Sequence, residues 1–233
     1  LAAEAVVLFH FEQDDKLLDS TAAVNEVSGS IINRVIEAGD FRGEHLENVL
    51  LFTQGSVAIQ RILLMGLGKR EDLTAQTLRE AVAQALKALR DRRLPRAVLP
   101  IPLDSEFPLS IGETAEACAL GGMLGLYQFT ELLTKQRDKI KDFDSLTIIS
   151  PRKTRDLTSS VARAKAITKG IYLTRDLVTL PPNQATPTVL AKRAKEVAAK
   201  AGMTYKLIRE SQAKKLGMGA FLAVTQGSEE PGL

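Results

Sequence analysis

The sequence predicts an α/β fold with a mostly parallel sheet, then a long linker helix and the beginning of a second α/β unit. Three observations carry this. Short apolar runs of strand length alternate with helical periodicity through residues 1–150, the pattern of strands joined by crossover helices. One helical stretch, Asp156 to Leu180, then runs much longer. The pair Pro181-Pro182 stops it, and a second capped helix begins at Thr186.

The elements follow in order. Ala5 to Phe9 is short and rich in apolar β-formers, which predicts a buried strand. Ile31 to Ala38 predicts a short helix ended by Gly39. Asn48 to Phe52 and Arg61 to Met65 read as two strands, the second running into the turn Gly66-Leu67-Gly68-Lys69. Thr74 caps a strongly amphipathic helix, with Leu78, Ala81, Val82, Ala85, Leu86 and Leu89 on one face. Ala97 to Ile101 is the next strand, hemmed by Pro100 and Pro102.

Glu113 to Phe129 predicts a helix carrying Ala117, Gly121, Gly122 and Gly125. Each interior glycine costs about 1 kcal/mol against alanine, so close packing on a neighbour is the expected compensation. Leu146 to Ile149 supplies a further strand. In the long helix, Val161, Ala164, Ile167, Ile171 and Leu177 share one side. In the helix from Thr186 to Ala201, Leu190, Ala194, Val197, Ala198 and Ala201 are expected to face a core, with Lys192, Glu196 and Lys200 outward. Gly202 ends that helix. Met203 to Arg209 and Ala220 to Thr225 read as strands around a short helix near Gln212 to Leu216. The domains are therefore drawn at 1–150, 151–180 for the linker helix, and 181–233.

With 233 residues, 45% apolar and 25% charged, the chain has the composition of a folded globular protein. It begins at Leu1 and closes in a loop-like Glu229-Glu230-Pro231-Gly232-Leu233, which reads as a fragment. Its start lacks the basic flank and cleavage site of a signal peptide, and no apolar run approaches the roughly 20 residues of a membrane span. The lone Cys118 excludes an intramolecular disulfide and fits a reducing, cytoplasmic setting. The net charge of +3 is unevenly spread. From Pro151 onward 15 basic face 6 acidic residues, a net +9, whereas the first 150 residues hold 16 basic and 22 acidic, a net −6. Solvated helix faces account for this more simply than a nucleic-acid surface does.

No constellation here carries catalysis. His10 and His45 are the two histidines, and neither has a second ligand at helical spacing. One cysteine cannot build a thiolate zinc site, and no serine stands in a nucleophile elbow. Gly66-Leu67-Gly68-Lys69 fails the phosphate-loop pattern because Arg70 follows the lysine, and fails the dinucleotide pattern because Glu71 occupies the last glycine position. A structural turn is the simpler reading, with anion binding by its backbone amides the functional alternative. Glu113 with Glu116, and Asp138 with Asp142, share predicted helix faces in the manner of ordinary solvated carboxylates.

Two ordered blocks carry a resemblance. Arg175-Asp176-Leu177-Val178 followed by Pro181-Pro182-Asn183 and Thr186-Pro187 resembles the beginning of the catalytic domain of the leucyl (cytosol) aminopeptidases. Lys215 to Val224, with Gln226-Gly227-Ser228 after it, is similar to the block that follows in that family. The strand and turn Leu63 to Lys69 and the helix Gly121 to Phe129 are compatible with its amino-terminal domain. Thr179 stands where many members have asparagine.

The resemblance implies a macro-domain-like amino-terminal domain and a catalytic domain with two divalent ions, manganese or zinc, in a homo-hexamer that acts on peptides in the cytoplasm. The ions activate a bridging water for attack on the first peptide carbonyl. The family's metal-ligand blocks follow the Gly217-Met218-Gly219 segment and are absent before Leu233, so no catalytic, cofactor-binding or metal residue is carried over and this piece alone is expected to be inactive. By the same resemblance Arg175, Asp176, Pro182, Asn183, Thr186 and Pro187 are structural. The alternatives are DNA binding by the basic second half, which ranks below peptides, and nucleotide or ADP-ribose binding near Gly66. No membrane partner is expected.

Overall fold

The computed structural model describes residues 3–53, 55, 58–102, 107–135, 140–150, 155–228 and 230. The chain divides into two compact units, Leu1–Gly170 and Ile171–Leu233. In the first, the strands are β1 (Ala5–His10), β2 (Asn48–Phe52), β3 (Arg61–Gly66), β4 (Arg96–Pro100) and β5 (Ser145–Ile149). They form one sheet in the order β2-β3-β1-β4-β5. Four helices accompany them: α1 (Asp19–Val27), α2 (Ile31–Glu37), α3 (Ala75–Asp91) and α4 (Ile111–Leu126). A fifth, α5 (Arg155–Thr179), runs through the division between the units.

β1 pairs in parallel with β3 and β4, and β4 with β5. Each of these joins is reached through a crossover, as parallel pairing requires. β2 is the exception. It lies antiparallel on β3, with Asn48 opposite Met65 and Phe52 opposite Arg61, because only a short connection separates the two strands. The sheet is thus mixed, and β2 is an edge.

Alternation along the strands builds two cores. Ala5, Val7, Phe9, Leu63, Met65, Ala97 and Leu99 face α3 and α4 and pack with Leu78, Val82, Leu86 and Cys118. Val6, Leu8, Ile62 and Leu64 face the other way and pack with Ile32, Phe41 and Leu51. The α3 stripe is buried at all six positions read from the sequence. Thr74 Oγ1 accepts the Thr77 N–H at 3.2 Å, and the Thr77 hydroxyl accepts the Thr74 N–H at 2.9 Å, so both caps are reciprocal.

The small residues of α4 also pack as expected. A methyl group at Gly121 would lie 2.5 Å from the Arg79 carbonyl oxygen, and one at Gly125 2.6 Å from the Ala83 Cβ. These two helices approach backbone to backbone. The boundaries of α4 differ from the expectation. It starts at Ile111, capped by Ser110, and ends at Leu126, because Tyr127 is already extended at φ −56°, ψ 130° and releases Gln128 and Phe129 from the helix. The sequence reading also passed over α1, whose apolar positions are few and whose N-terminus has no side-chain cap.

In the second unit α6 (Pro187–Ala201) is capped by Thr186 and closed by Gly202 at φ +66°, as read. Its expected inner face is only partly realised: Ala198 is buried, but Leu190 and Val197 are 45% and 39% exposed. Two predicted strands are corrected. Met203 to Arg209 forms no regular element up to the start of α7 (Glu210–Lys215), and Ala220 to Thr225 lies within α8 (Gly219–Thr225). A strand needs a neighbour for its N–H and C=O groups, and this unit offers none among the described residues. The local alternative is a helical turn, with the Leu222 N–H donating to Met218 O at 3.1 Å.

Candidate functional site

Among the described residues no group of three or more His, Cys, Asp or Glu side chains is placed to hold a metal ion. Several of the sequence candidates have a structural occupation instead. His45 sits 3.4 Å from Glu80 on the α3 surface. Glu113 belongs to the α4 cap, accepting both the Ser110 hydroxyl and its N–H, which hold its carboxyl below the usual range. Glu116 lies 3.6 Å from Arg163. Asp138 falls outside the described residues; Asp142 is exposed in a segment without helix. Cys118 is wholly buried in α4, and burial pushes its thiol up to about 12, far from the thiolate that nucleophilic or redox chemistry needs.

The glycine turn after β3 is the place where the sequence left a small-ligand reading open. It closes against two other segments. The Gly66 N–H donates to Glu47 O at 2.8 Å, Leu67 to His10 O at 2.9 Å and Gly68 to Gly43 O at 2.9 Å, while the Glu12 N–H reaches Gly68 O at 2.9 Å. A side chain at Gly66 would fall on the Glu44 carbonyl, and one at Gly43 would lie 2.5 Å from Phe11 O. Glycine is required here so that three chain segments can touch. Because the amides are already paired, they cannot converge on a phosphate. The turn is a structural knot, and the nucleotide reading loses the group that motivated it.

Beside the knot lies a polar cluster that sequence did not assemble. His10 ends β1 and is only 3% exposed. Its ring lies 6.2 Å from that of Phe41 and its Nδ1 has no hydrogen-bond partner. Burial holds its basicity below the ordinary value; nearby Asp14 opposes this and Arg70 adds to it. Arg70 donates to Asp14 at 2.5 Å and stacks its guanidinium 4.4 Å from the Phe11 ring centre. Burial raises the Asp14 carboxyl, but the hydrogen bonds from Arg70 and the Lys16 N–H outweigh it and leave it below the usual carboxylate range.

The segment between α5 and α6 folds as its residues dictate. The Leu180 N–H closes the last turn of α5 on Asp176 O at 3.0 Å. Pro181 O then accepts the N–H groups of Gln184 and Ala185 at 2.8 and 2.9 Å, making a rigid turn. Thr186 Oγ1 accepts the Val189 N–H at 3.4 Å, and Pro187 takes the first helical position. Asn183 and Pro182 are exposed on that turn. A groove of about 570 Å³ in the second unit is lined by Leu190, Ala194, Tyr205, Leu207, Met218 and Phe221. No described helix is long and apolar enough to cross a membrane.

Comparison with known proteins gives concordant results. The family model described as "Cytosol aminopeptidase family, N-terminal domain" matches residues 5–136, and that of the family's catalytic domain matches residues 172–233. A probable cytosol aminopeptidase of Geobacter sp. (strain M21) is 36% identical over 204 residues, which is 87% of this chain and 41% of the relative. One from Alkaliphilus metalliredigens is 31% identical over 99% of this chain and 47% of its own length. The chain thus spans about half the length of the curated relatives it matches. Among solved structures, a tomato leucine aminopeptidase mutant superposes with a TM-score of 0.80 over 98% of this chain and 46% of that one, at 22% identity. The bottromycin maturation enzyme BotP in complex with Mn gives 0.75 over 99% of this chain and 44% of that one, at 24% identity. These structural likenesses bear on the fold.

Proposed function

Since this chain belongs to the cytosol aminopeptidase family, we propose that it is the amino-terminal half of a metal-dependent aminopeptidase that removes amino-terminal residues from peptides. The observation that carries the reading is the pair of family matches, in family order, on either side of the middle of α5. In this reading residues 1–150 are the macro-like domain, 151–180 the linker helix and 181–233 the start of the catalytic domain. The whole enzyme works in the cytoplasm as a homo-hexamer.

The chemistry expected of the whole enzyme is hydrolysis at two divalent ions, manganese or zinc. The described residues do not fit such a centre, since they hold no ligand cluster. No catalytic step is therefore assigned to them. What they supply is the rigid Pro181–Pro187 turn that sets how α6 leaves α5, and the apolar faces of α6 and α8 on which a catalytic core can be built.

The test is leucinamide hydrolysis by a longer gene product that extends past Leu233, assayed with manganese or zinc before and after chelation. Metal-dependent turnover supports the proposal. A folded, metal-loaded longer protein without turnover on amino-terminal amides would overturn it. Turnover by residues 1–233 alone would overturn the assignment of the metal centre to residues outside this chain.

A further inference from the structure

We propose that the free edge of β2 is an interface for a second copy of this chain, the two β2 strands pairing antiparallel about a two-fold axis centred on Leu50. The pairing is a property of the first unit alone and stands apart from the aminopeptidase reading.

The ladder fixes which backbone groups are spare. β2 lies antiparallel on β3 at one end of the sheet, with Val49 opposite Leu64 and Leu51 opposite Ile62. At its two ends the Gly66 N–H donates to Glu47 O at 2.8 Å and the Thr53 N–H to Gln60 O at 3.0 Å. Bonded and non-bonded pairs alternate along such a ladder, so Val49 and Leu51 turn their N–H and C=O groups to β3. Asn48, Leu50 and Phe52 turn theirs outward, where no described strand meets them.

Edges left to water are usually blunted by lysine, proline or a bulge within the strand. Asn48-Val49-Leu50-Leu51-Phe52 has no charge, no proline and an unbroken register. The irregular residue, Leu46 at φ +67°, lies before the strand begins. Phe52 is 56% exposed, a large apolar side chain on an open edge. The opposite edge strand, β5, differs: after Ser150 it leads into Pro151-Arg152-Lys153.

A second copy fits because the edge is complementary to itself. A two-fold at Leu50 sets Leu50 against its own copy and Asn48 against the partner's Phe52. Val49 packs on the α2 side and Leu50 on the α3 side, so alternation places Asn48 and Phe52 with Leu50. Each Phe52 then covers the partner's Asn48 and Leu50, the kind of cross-strand contact that stabilises a sheet. Charge agrees. Arg61 stands opposite Phe52 with its guanidinium 5.7 Å from that ring centre. The segment entering β2 carries Asp40, Glu44 and Glu47 against Arg42. Antiparallel pairing brings each Arg61 end to the partner's acidic end. A foreign strand would have to reproduce both matches, whereas the two-fold supplies them from one sequence.

The experiment is sedimentation of the 233-residue chain over a range of concentrations, with amide hydrogen exchange followed by NMR in the same samples. The parent chain should be a reversible dimer. Its Asn48, Leu50 and Phe52 amides should exchange more slowly as concentration rises, while those of Val49 and Leu51, already bonded to β3, stay constant. Phe52→Lys puts a charge at an exposed position and should weaken association about tenfold, since the change enters the interface twice. Asn48→Lys should act alike and decides the matter if the first variant misfolds. A parent chain that stays monomeric would overturn the pairing. So would a dimer whose three outward amides exchange as fast as in dilute solution, or one indifferent to both lysines.

Discussion

Replacing Gly121 by alanine adds one methyl group at the closest approach of α3 and α4. Helix propensity alone favours the change by about 1 kcal/mol, since glycine is the poorer helix former. Packing opposes it. The new Cβ would stand 2.5 Å from Arg79 O, 3.0 Å from Arg79 Cα and 3.1 Å from Arg79 C, all backbone atoms of a regular helix that cannot rotate aside. Relief requires α4 to retreat from α3, loosening the contacts of Leu78, Val82 and Leu86 beneath it. Overpacking of this kind costs about 1–3 kcal/mol, and the rigidity of the opposing atoms puts this site in the upper half of that range. The expected net change is a loss of about 1–2 kcal/mol.

Gly170→Ala is the control. It lies in α5 with nothing within 4 Å of its Cβ position, so the propensity gain of about 1 kcal/mol should appear unopposed. Urea unfolding followed by helix circular dichroism measures both. The midpoint should fall for Gly121→Ala and rise for Gly170→Ala, with slopes unchanged. A Gly121→Ala chain as stable as the parent would refute the claim that these helices meet backbone to backbone.

Three further outcomes are expected. Thr74→Ala removes one half of the α3 capping box and should cost about 1 kcal/mol in the same urea experiment, with Thr74→Ser retaining most of the stability. Cys118, with its thiol pushed up to about 12 by burial, should resist alkylation at pH 8 in the folded chain and react promptly once urea unfolds it. Because no ligand cluster exists among the described residues, EDTA should leave the thermal midpoint of the 233-residue chain unchanged, and a fall of several degrees would reveal a structural metal.

Strong local patterns were legible in the sequence. The six-residue stripe of α3, the buried strands β1 and β3, and the Thr186-Pro187 start of α6 each satisfy their own hydrogen bonds and apolar face. The exclusion of thiolate zinc and nucleophile-elbow sites rested on residue types alone. What escaped was settled by distant partners. Ala220 to Thr225 has strand-like composition, yet without a neighbouring strand its backbone closes on itself as α8. The antiparallel set of β2 depends on where its hairpin folds back, which periodicity does not encode. α1 lacked a legible stripe or cap. The Asp14–Arg70 ion pair joins residues far apart in the chain, and no spacing rule links them. One signal was present for part of α4: Ser110 followed three residues later by Glu113 is a capping-box pattern and marks the observed start at Ile111.

The glycine knot has a consequence for how the first unit comes apart. Its hydrogen bonds join the end of β1, the Gly43–Glu47 segment and the turn after β3, so all three must be in place before any of them pays off the entropy of the intervening chain. Contacts of that kind are expected to form after the local helices and to be mostly unmade at the barrier to folding, which φ-values near zero at Gly43 and Gly68 would bear out. Weakening them should leave the refolding rate nearly untouched and quicken unfolding. The knot then acts chiefly as a brake: it sets how long a folded molecule lasts more than how soon it forms.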